Sequence, residues 1–462
     1  MLQLIIILIF FVAMILIGIF TRKNATDTKN FFVMGRKGTT LYITGSLFAT
    51  IVGASATLGM AGLGYSRGLT GIWWLLPGSI GLTVLGVFFA KKVRRTGLYT
   101  LPELAATQYD RWVGLAVSIL IPVAWLGVIG GQIVAVGKIM AVLGIGSPEL
   151  WMIVSTAAFV LFTVLGGQWA AIKTDLYQGI IILVGIGGGL IFILTRFGGV
   201  GALISQLPPD FLSFPVSENF GGYDMVKLLL LVGLTYVVGP DIYSRILSAR
   251  DGATAQRSVF WAAGLLVPLA LGVVIIGMSA SVLFPGIAAE QAFPTIVKGI
   301  MPPVLSGLVL AALLCAVMSP SLLLSASTIV TEDIIHKLKP SLNEKQVLLT
   351  SRISVAVMGI LSLLVALYLK GIISSLLYAY TIYTAGVIPL VIAGFYREKL
   401  KITPLAALTA VVGGGGTGLV SQLMKINYLD LGALGVSIVL LFAVSLIERR
   451  IRRGRQENPP RG

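Results

Sequence analysis

Charge is scarce in this chain, and the side chains that most often hold metals are scarcer. Only 11% of the 462 residues are charged, with 34 Lys and Arg against 18 Asp and Glu, one Cys and one His. The lone Cys315 excludes an intrachain disulfide. With His336 as the sole imidazole, no catalytic zinc site of the usual kind can be assembled. No catalytic dyad of an intramembrane hydrolase is visible, so the chain reads as a non-enzyme. Repeated filter loops and rings of charge are lacking too, which argues against a channel. Nearly all the acids, including Glu103, Glu332, Asp333 and Glu448, fall in loops or at the ends of apolar runs. Only Asp175 and Asp241 approach the interior of one. A proton-driven carrier normally relies on buried carboxylates or histidines, and this chain is poor in them. The net charge of +16 is spread over loops and the ERRIRRGR run, which fits a topological and lipid-facing role and gives no footprint for nucleic acid.

What is abundant is apolar length. Hydrophobic residues make up 56% of the chain, with 55 Gly and a mean hydropathy of +0.97, far from the composition of soluble domains. The sequence predicts an all-α polytopic membrane protein with about thirteen spans. They run over 2–20, 41–64, 70–90, 112–142, 150–166, 177–195, 226–246, 259–284, 303–329, 353–370, 372–396, 404–424 and 431–447. Most Lys and Arg follow the odd-numbered spans, so those ends are expected at the cytoplasm, with the N-terminus outside and the C-terminus inside. The first span begins at Leu2 without a basic leader or cleavage site and is expected to be retained. One membrane domain, 1–462, accounts for the whole chain in a bilayer, expected at the cell (plasma) membrane and as a monomer.

The second and seventh spans are broken in the middle. They read GSLFATIVGASATLGMAGLGY, with Gly53, Gly59 and Gly62, and LLLLVGLTYVVGPDIYSRIL, with Gly239 and Pro240. Backbone polar groups at membrane depth must be met by protein, ligand or water, and paired broken helices point to a secondary transporter's binding site. The ninth span adds Ser319, Ser321, Ser325, Ser327 and Thr328 to an otherwise apolar helix. Such hydroxyls either bond back to their own turn or serve a ligand. Pro320 lacks an N–H and so frees Ala316 C=O, either for a cation or as a plain kink. Hydroxyls and freed carbonyls suit sodium better than a proton.

At this point the chain resembles the sodium:solute symporter family, which includes proline, pantothenate, sialic acid and sugar symporters. The resemblance rests on CAVMSPSLLLSASTIVTED, GASATLGMAGLGYSRGL, TGLYTLPELAATQYD, GGQWAAIKTDLYQGIIILVG and YVVGPDIYSRILSARDGATAQRS, in order and in register over about residues 30 to 400. It implies a LeuT-like fold with five helices and their inverted repeat after one extra helix (2–20). The repeats would be 41–195 and 226–396, with peripheral helices at 404–447 and a cytoplasmic tail at 448–462. The GGGGTG run at Gly413 to Gly418 reads as close helix packing rather than a phosphate loop. The resemblance also implies a sodium site between the second and ninth spans. Carbonyls of Ala54, Thr57 and Ala316 and the hydroxyl of Ser319 would form it, with either Ser321 or the side chain of Thr57 as the fifth ligand. Where many members have a second hydroxyl after that Ser, this chain has Pro320. Asp175 matches a Thr-Asp-x-x-Gln motif tied to a second sodium site or an exit route, and reads equally as a helix N-cap. Arg245 reads as gating or, more simply, as an interface anchor.

The solute would be small and organic, held near midplane by side chains from Trp125, Gln132, Tyr236, Asp241, Tyr378, Tyr380 and Tyr383. No buried Arg suited to a substrate carboxylate is evident, which disfavours an acidic solute. The function expected is sodium-coupled import of a small solute by alternating access. A proton-coupled or uncoupled transporter of the same fold, or a non-transporting membrane sensor, is the alternative. The tail after Glu448 is expected to be too short for enzymatic signalling.

Overall fold

The computed structural model describes residues 28–144, 146–317, 320–426 and 428–457, with isolated positions at 9, 12, 13 and 16. The expected first span, 2–20, therefore lies outside the described residues but for those positions. Among the described residues the fold is helical throughout, and eleven helices are long and apolar enough to cross a membrane. The thirteen expected from sequence differ from this count at two places. One is the undescribed first span. The other is the second span: its first half is a short helix, Thr40–Ile51, and its second half continues into the third as one helical path, Ser55–Phe88. A helix cut at its centre leaves a piece shorter than the bilayer, and hydropathy alone merges what the backbone divides.

Polar side chains fix where the spans begin. Asp110 accepts from Trp112 N and Val113 N, both at 2.9 Å, and opens Arg111–Leu143. Ser147 caps Pro148–Phe197, with Pro at the first helical position where no N–H is needed. That long helix is really the fifth and sixth spans in series, turning at Gly167 (φ 54°, ψ −155°). Asp251 caps Gly252–Leu283, and Asn343 with Gln346 forms a capping box before Glu344–Leu369.

Burial ranks the helices. The most apolar 18-residue window of the ninth span, Pro303–His336, is 93% buried, against 44% for Pro404–Met424 and 33% for Leu429–Arg452. The ninth span is thus the centre of the bundle, and the last two stand at its edge. The glycine run holds those two to the core: a Cβ on Gly414 would come within 2.5 Å of Ala385 O and 2.6 Å of Ser437 Cβ. Close helix packing is what the run does.

Candidate functional site

Both breaks lie deep in the bundle, and each is met by a side chain from another helix. In the first, the helix Thr40–Ile51 stops and Val52 and Gly53 carry the chain into a π-helical turn, Ser55–Gly59. Gln132 from Arg111–Leu143 lies against this bend, its Oε1 accepting Ala54 N–H at 2.8 Å. A Cβ on Gly53 would fall 2.7 Å from Gln132 Nε2, so only glycine lets the amide approach. In the second, Leu234–Val237 ends at Val238 and Gly239, and Pro240–Ser248 resumes. Tyr383 donates its hydroxyl to Val238 O at 2.6 Å, and its ring meets Trp125 edge-on at 4.9 Å.

Between the breaks lies a narrow space. Trp125, Gln132, Tyr236, Asp241 and Tyr380 line it, so five of the seven expected solute residues come together. Thr50, Ser55 and Thr235 add hydroxyls, and Tyr236 hydrogen-bonds Tyr380. Asp241 is the one charged group of this lining, and it stands in the first turn of Pro240–Ser248, where the helix dipole favours an anion. Trp125 Nε1 is buried without a partner, a donor left available to an acceptor on a ligand. The other two do not line this space. Tyr383 is spent on the Val238 carbonyl behind Trp125. Tyr378 packs beside Gly127, because it stands two residues from both Leu376 and Tyr380, which puts it on the opposite face of the helix.

The sodium residues of the sequence reading divide as follows. Ala54, Thr57, Ala316 and Ser321 are all buried, and the π-turn Ser55–Gly59 packs on Pro303–Val317. Thr57 Oγ1 donates to Gly53 O at 2.9 Å. Ser319 lies outside the described residues. Downstream, Ser325, Ser327 and Thr328 donate to the carbonyls of Ser321, Leu323 and Leu324 at 2.7–2.9 Å, so these three bond their own turn. Ser321 differs: its hydroxyl lies 3.4 Å from Thr50 Oγ1, across helices.

Asp175 is not an N-cap. It sits inside the helix, fully buried, with Oδ2 accepting from Ser46 Oγ at 2.5 Å and Thr50 Oγ1 at 3.5 Å. Arg245, also fully buried, puts Nη2 3.5 Å from the same oxygen, donates from Nε to Ser46 Oγ at 3.3 Å, and from Nη1 to Asp241 O and Ser244 Oγ at 2.9 Å. Ser325 Oγ reaches Ser244 at 3.3 Å. Ser244 and Ser325 in turn face a smaller pocket with Tyr99, Thr100 and Gln168. A polar track thus runs from Thr50 at the central space, through Asp175 and Arg245, to the end of the bundle near Thr100. The interface-anchor reading of Arg245 fails, because its charge is held inside the protein.

Ser46 and Thr50 were not picked from the sequence, although their four-residue spacing puts both on one helix face. Two more residues went unnoticed. Glu290, in the loop before the ninth span, pairs with Lys138 and accepts the N–H groups of Ile372 (3.1 Å) and Ile373 (3.2 Å), capping the eleventh span. Asp430 is buried and paired with Lys227. A lone acid beside an apolar run carries no sequence mark of such a partner.

Known proteins resemble this chain along nearly its whole length. The profile of the Sodium:solute symporter family matches residues 31–414. An osmoregulated proline transporter of Bacillus subtilis is 25% identical over 433 residues, covering 89% of this chain and 87% of that one. A sodium/pantothenate symporter of Haemophilus influenzae is 24% identical over 458 residues, covering 94% and 93%. Among solved structures, a Na+-coupled sialic acid symporter in a substrate-bound outward-open state superposes with a TM-score of 0.82 at 17% identity, covering 97% of this chain and 98% of that one. A nucleobase-cation-symport-1 family transporter follows with a TM-score of 0.57 at 15% identity, covering 93% and 95%. The fold is the LeuT-like one, and the family and relatives are membrane transporters rather than enzymes. The chain belongs to the sodium:solute symporter family.

Proposed function

We propose that this protein imports a small organic solute across the cell membrane by alternating access, driven by sodium. The observation that carries the reading is the pair of breaks facing one space: oxygen-rich and uncharged at the first, with one carboxylate, Asp241, at the second. Sodium takes hard oxygen ligands, and freed carbonyls and hydroxyls supply them without a formal charge. We assign the ion to carbonyls of Ala54, Thr57 and Ala316 with the hydroxyl of Ser319, and Ser321 nearby. The solute lies against Trp125, Gln132, Tyr236, Asp241 and Tyr380, presenting an acceptor to Trp125 Nε1 and a hydroxyl or ammonium donor to Asp241.

The track through Thr50, Asp175 and Arg245 serves as the exit route. Its end near Thr100 lies at the cytoplasm by the distribution of basic loops, with the N-terminus outside and the C-terminus inside. Asp175 is less suited to a second sodium ion, because Arg245 already places a cation beside it. The repeats are taken as 41–195 and 226–396, with the helices at 404–447 peripheral, and the working unit as a monomer.

Proteoliposomes with sodium and proton gradients imposed separately test the reading. Uptake of a small-solute panel should follow the sodium gradient. Uptake that follows pH and ignores sodium would overturn it in favour of proton coupling through Asp241.

A further inference from the structure

A second chamber, of about 120 Å³, lies beyond the central space at the end away from Asp175. Its walls include Arg67, where the first broken helix ends, and Asp224, Lys227 and Leu228 of the second. The two chambers are stacked. Leu377 faces the second one while Leu376 and Tyr380 of the same helix face the first; on the seventh span Leu228 and Thr235 stand seven residues apart, about 10 Å of helix.

The three charges of this chamber are not equivalent. Lys227 is paired with Asp430, whose Oδ1 is held by Ser421 Oγ (2.5 Å) and Gln422 Nε2 (2.8 Å). Asp224 accepts Gly221 N–H at 3.2 Å and so caps its own helix. Arg67 feels the carboxylate of Asp224 only at a distance. Its guanidinium lies 4.3 Å above the ring of Phe220, and among the described residues it makes no ion pair or hydrogen bond; its Nε is buried without a partner. Withdrawing a guanidinium from water without an acceptor costs free energy. The planar fork of a guanidinium matches a carboxylate in bidentate fashion.

We propose that this outer chamber is a first binding station, in which Arg67 takes the carboxylate of the incoming solute before it moves on to the central space. The proposal rests on the symporter reading above and narrows its solute to one that carries a carboxylate, against the sequence expectation that no arginine was placed for it. By the orientation proposed above, the chamber meets the outside solution first. Lys227 and Asp224, already engaged, leave Arg67 as the group that attracts an anion. The central space has no Lys or Arg among its lining, so the solute is bound there through Trp125 and Asp241 and is not trapped by a second full charge. A solute that satisfies both stations carries a carboxylate together with hydroxyl or ammonium donors.

Melting of the purified full chain in detergent at fixed sodium tests this with three matched pairs: L-proline and L-prolinamide, pantothenate and pantothenol, glucuronate and glucose. At least one acid should raise Tm with concentration while its partner lacking the carboxylate does not. Arg67→Gln should raise the half-saturating concentration of that acid at least tenfold. Arg67→Lys, which keeps a cation over Phe220, should retain part of the affinity. Equal stabilisation by the partner, unchanged acid affinity in Arg67→Gln, or no response to any of the three acids overturns the proposal. The symporter reading is scored apart from it, by titrating the wild type with sodium and no solute.

Discussion

The two broken helices solve one problem in opposite ways. At the first break an acceptor, Gln132 Oε1, takes the freed Ala54 N–H; at the second a donor, the Tyr383 hydroxyl, takes the freed Val238 carbonyl. Satisfying the N–H leaves the first break its carbonyls, with those of Gly53 and Ala54 met by the Thr57 hydroxyl and the turn packed on the ninth span. Satisfying the C=O leaves the second with a helix N-terminus and Asp241. In the proposed function one break serves the cation and the other the polar groups of the solute. The difference comes from which neighbour reaches in, since both breaks are glycine-rich and look alike in sequence.

Cutting the tie between the two broken helices should have the largest effect. Arg245 on the second reaches Ser46 on the first and balances Asp175. Arg245→Gln leaves a buried carboxylate uncompensated and should cost about 3–5 kcal/mol, read as a large loss of folded protein on denaturant melting. The double variant Arg245→Gln/Asp175→Asn should recover much of it. If the single variant melts like wild type, the buried pair does not join the helices.

Next comes the cap of the first break. Gln132→Leu strands Ala54 N–H in an apolar site and should cost about 1–3 kcal/mol, with weaker sodium stabilisation because the break loses its shape. The matching change at the second break, Tyr383→Phe, should cost only about 1 kcal/mol, since a carbonyl tolerates poor satisfaction better than an N–H does. An equal sodium response in Gln132→Leu and Tyr383→Phe would erase the distinction between the breaks. Smallest of all is Tyr378→Phe. Lying outside the central space, it should change uptake by less than about twofold, the scale of a substitution away from any special feature.

How much of this was legible beforehand follows from what a membrane forces into sequence. Long apolar runs and the glycine breaks are consequences of backbone satisfaction in lipid, and both are legible directly from residues such as Gly53, Gly239 and Pro240. The glycine run near Gly414 was also read for what it is. Burial of single charges was not legible. Arg245 was taken as an interface anchor because basic residues near span ends usually are; the partners that hold it, Ser46 and Asp175, lie 199 and 70 residues away in the chain. Arg67 and Asp430 were missed for the same reason, and the N-cap reading of Asp175 failed because the helix begins well before it. The hydroxyls of the ninth span looked uniform in sequence. Only packing brings Ser321 to Thr50 and Ser325 to Ser244 across helices, while Ser327 and Thr328 bond back to their own turn.

Sodium titration of thermal stability in two variants tests the division of labour between the breaks most directly. Ser319→Ala removes a proposed ion ligand, and Asp241→Asn removes the one carboxylate at the second break. The account predicts that Ser319→Ala raises the half-saturating sodium concentration about tenfold, equivalent to about 1.4 kcal/mol, while Asp241→Asn binds sodium as wild type does and loses solute-dependent stabilisation. A sodium response that survives in Ser319→Ala and disappears in Asp241→Asn would contradict it.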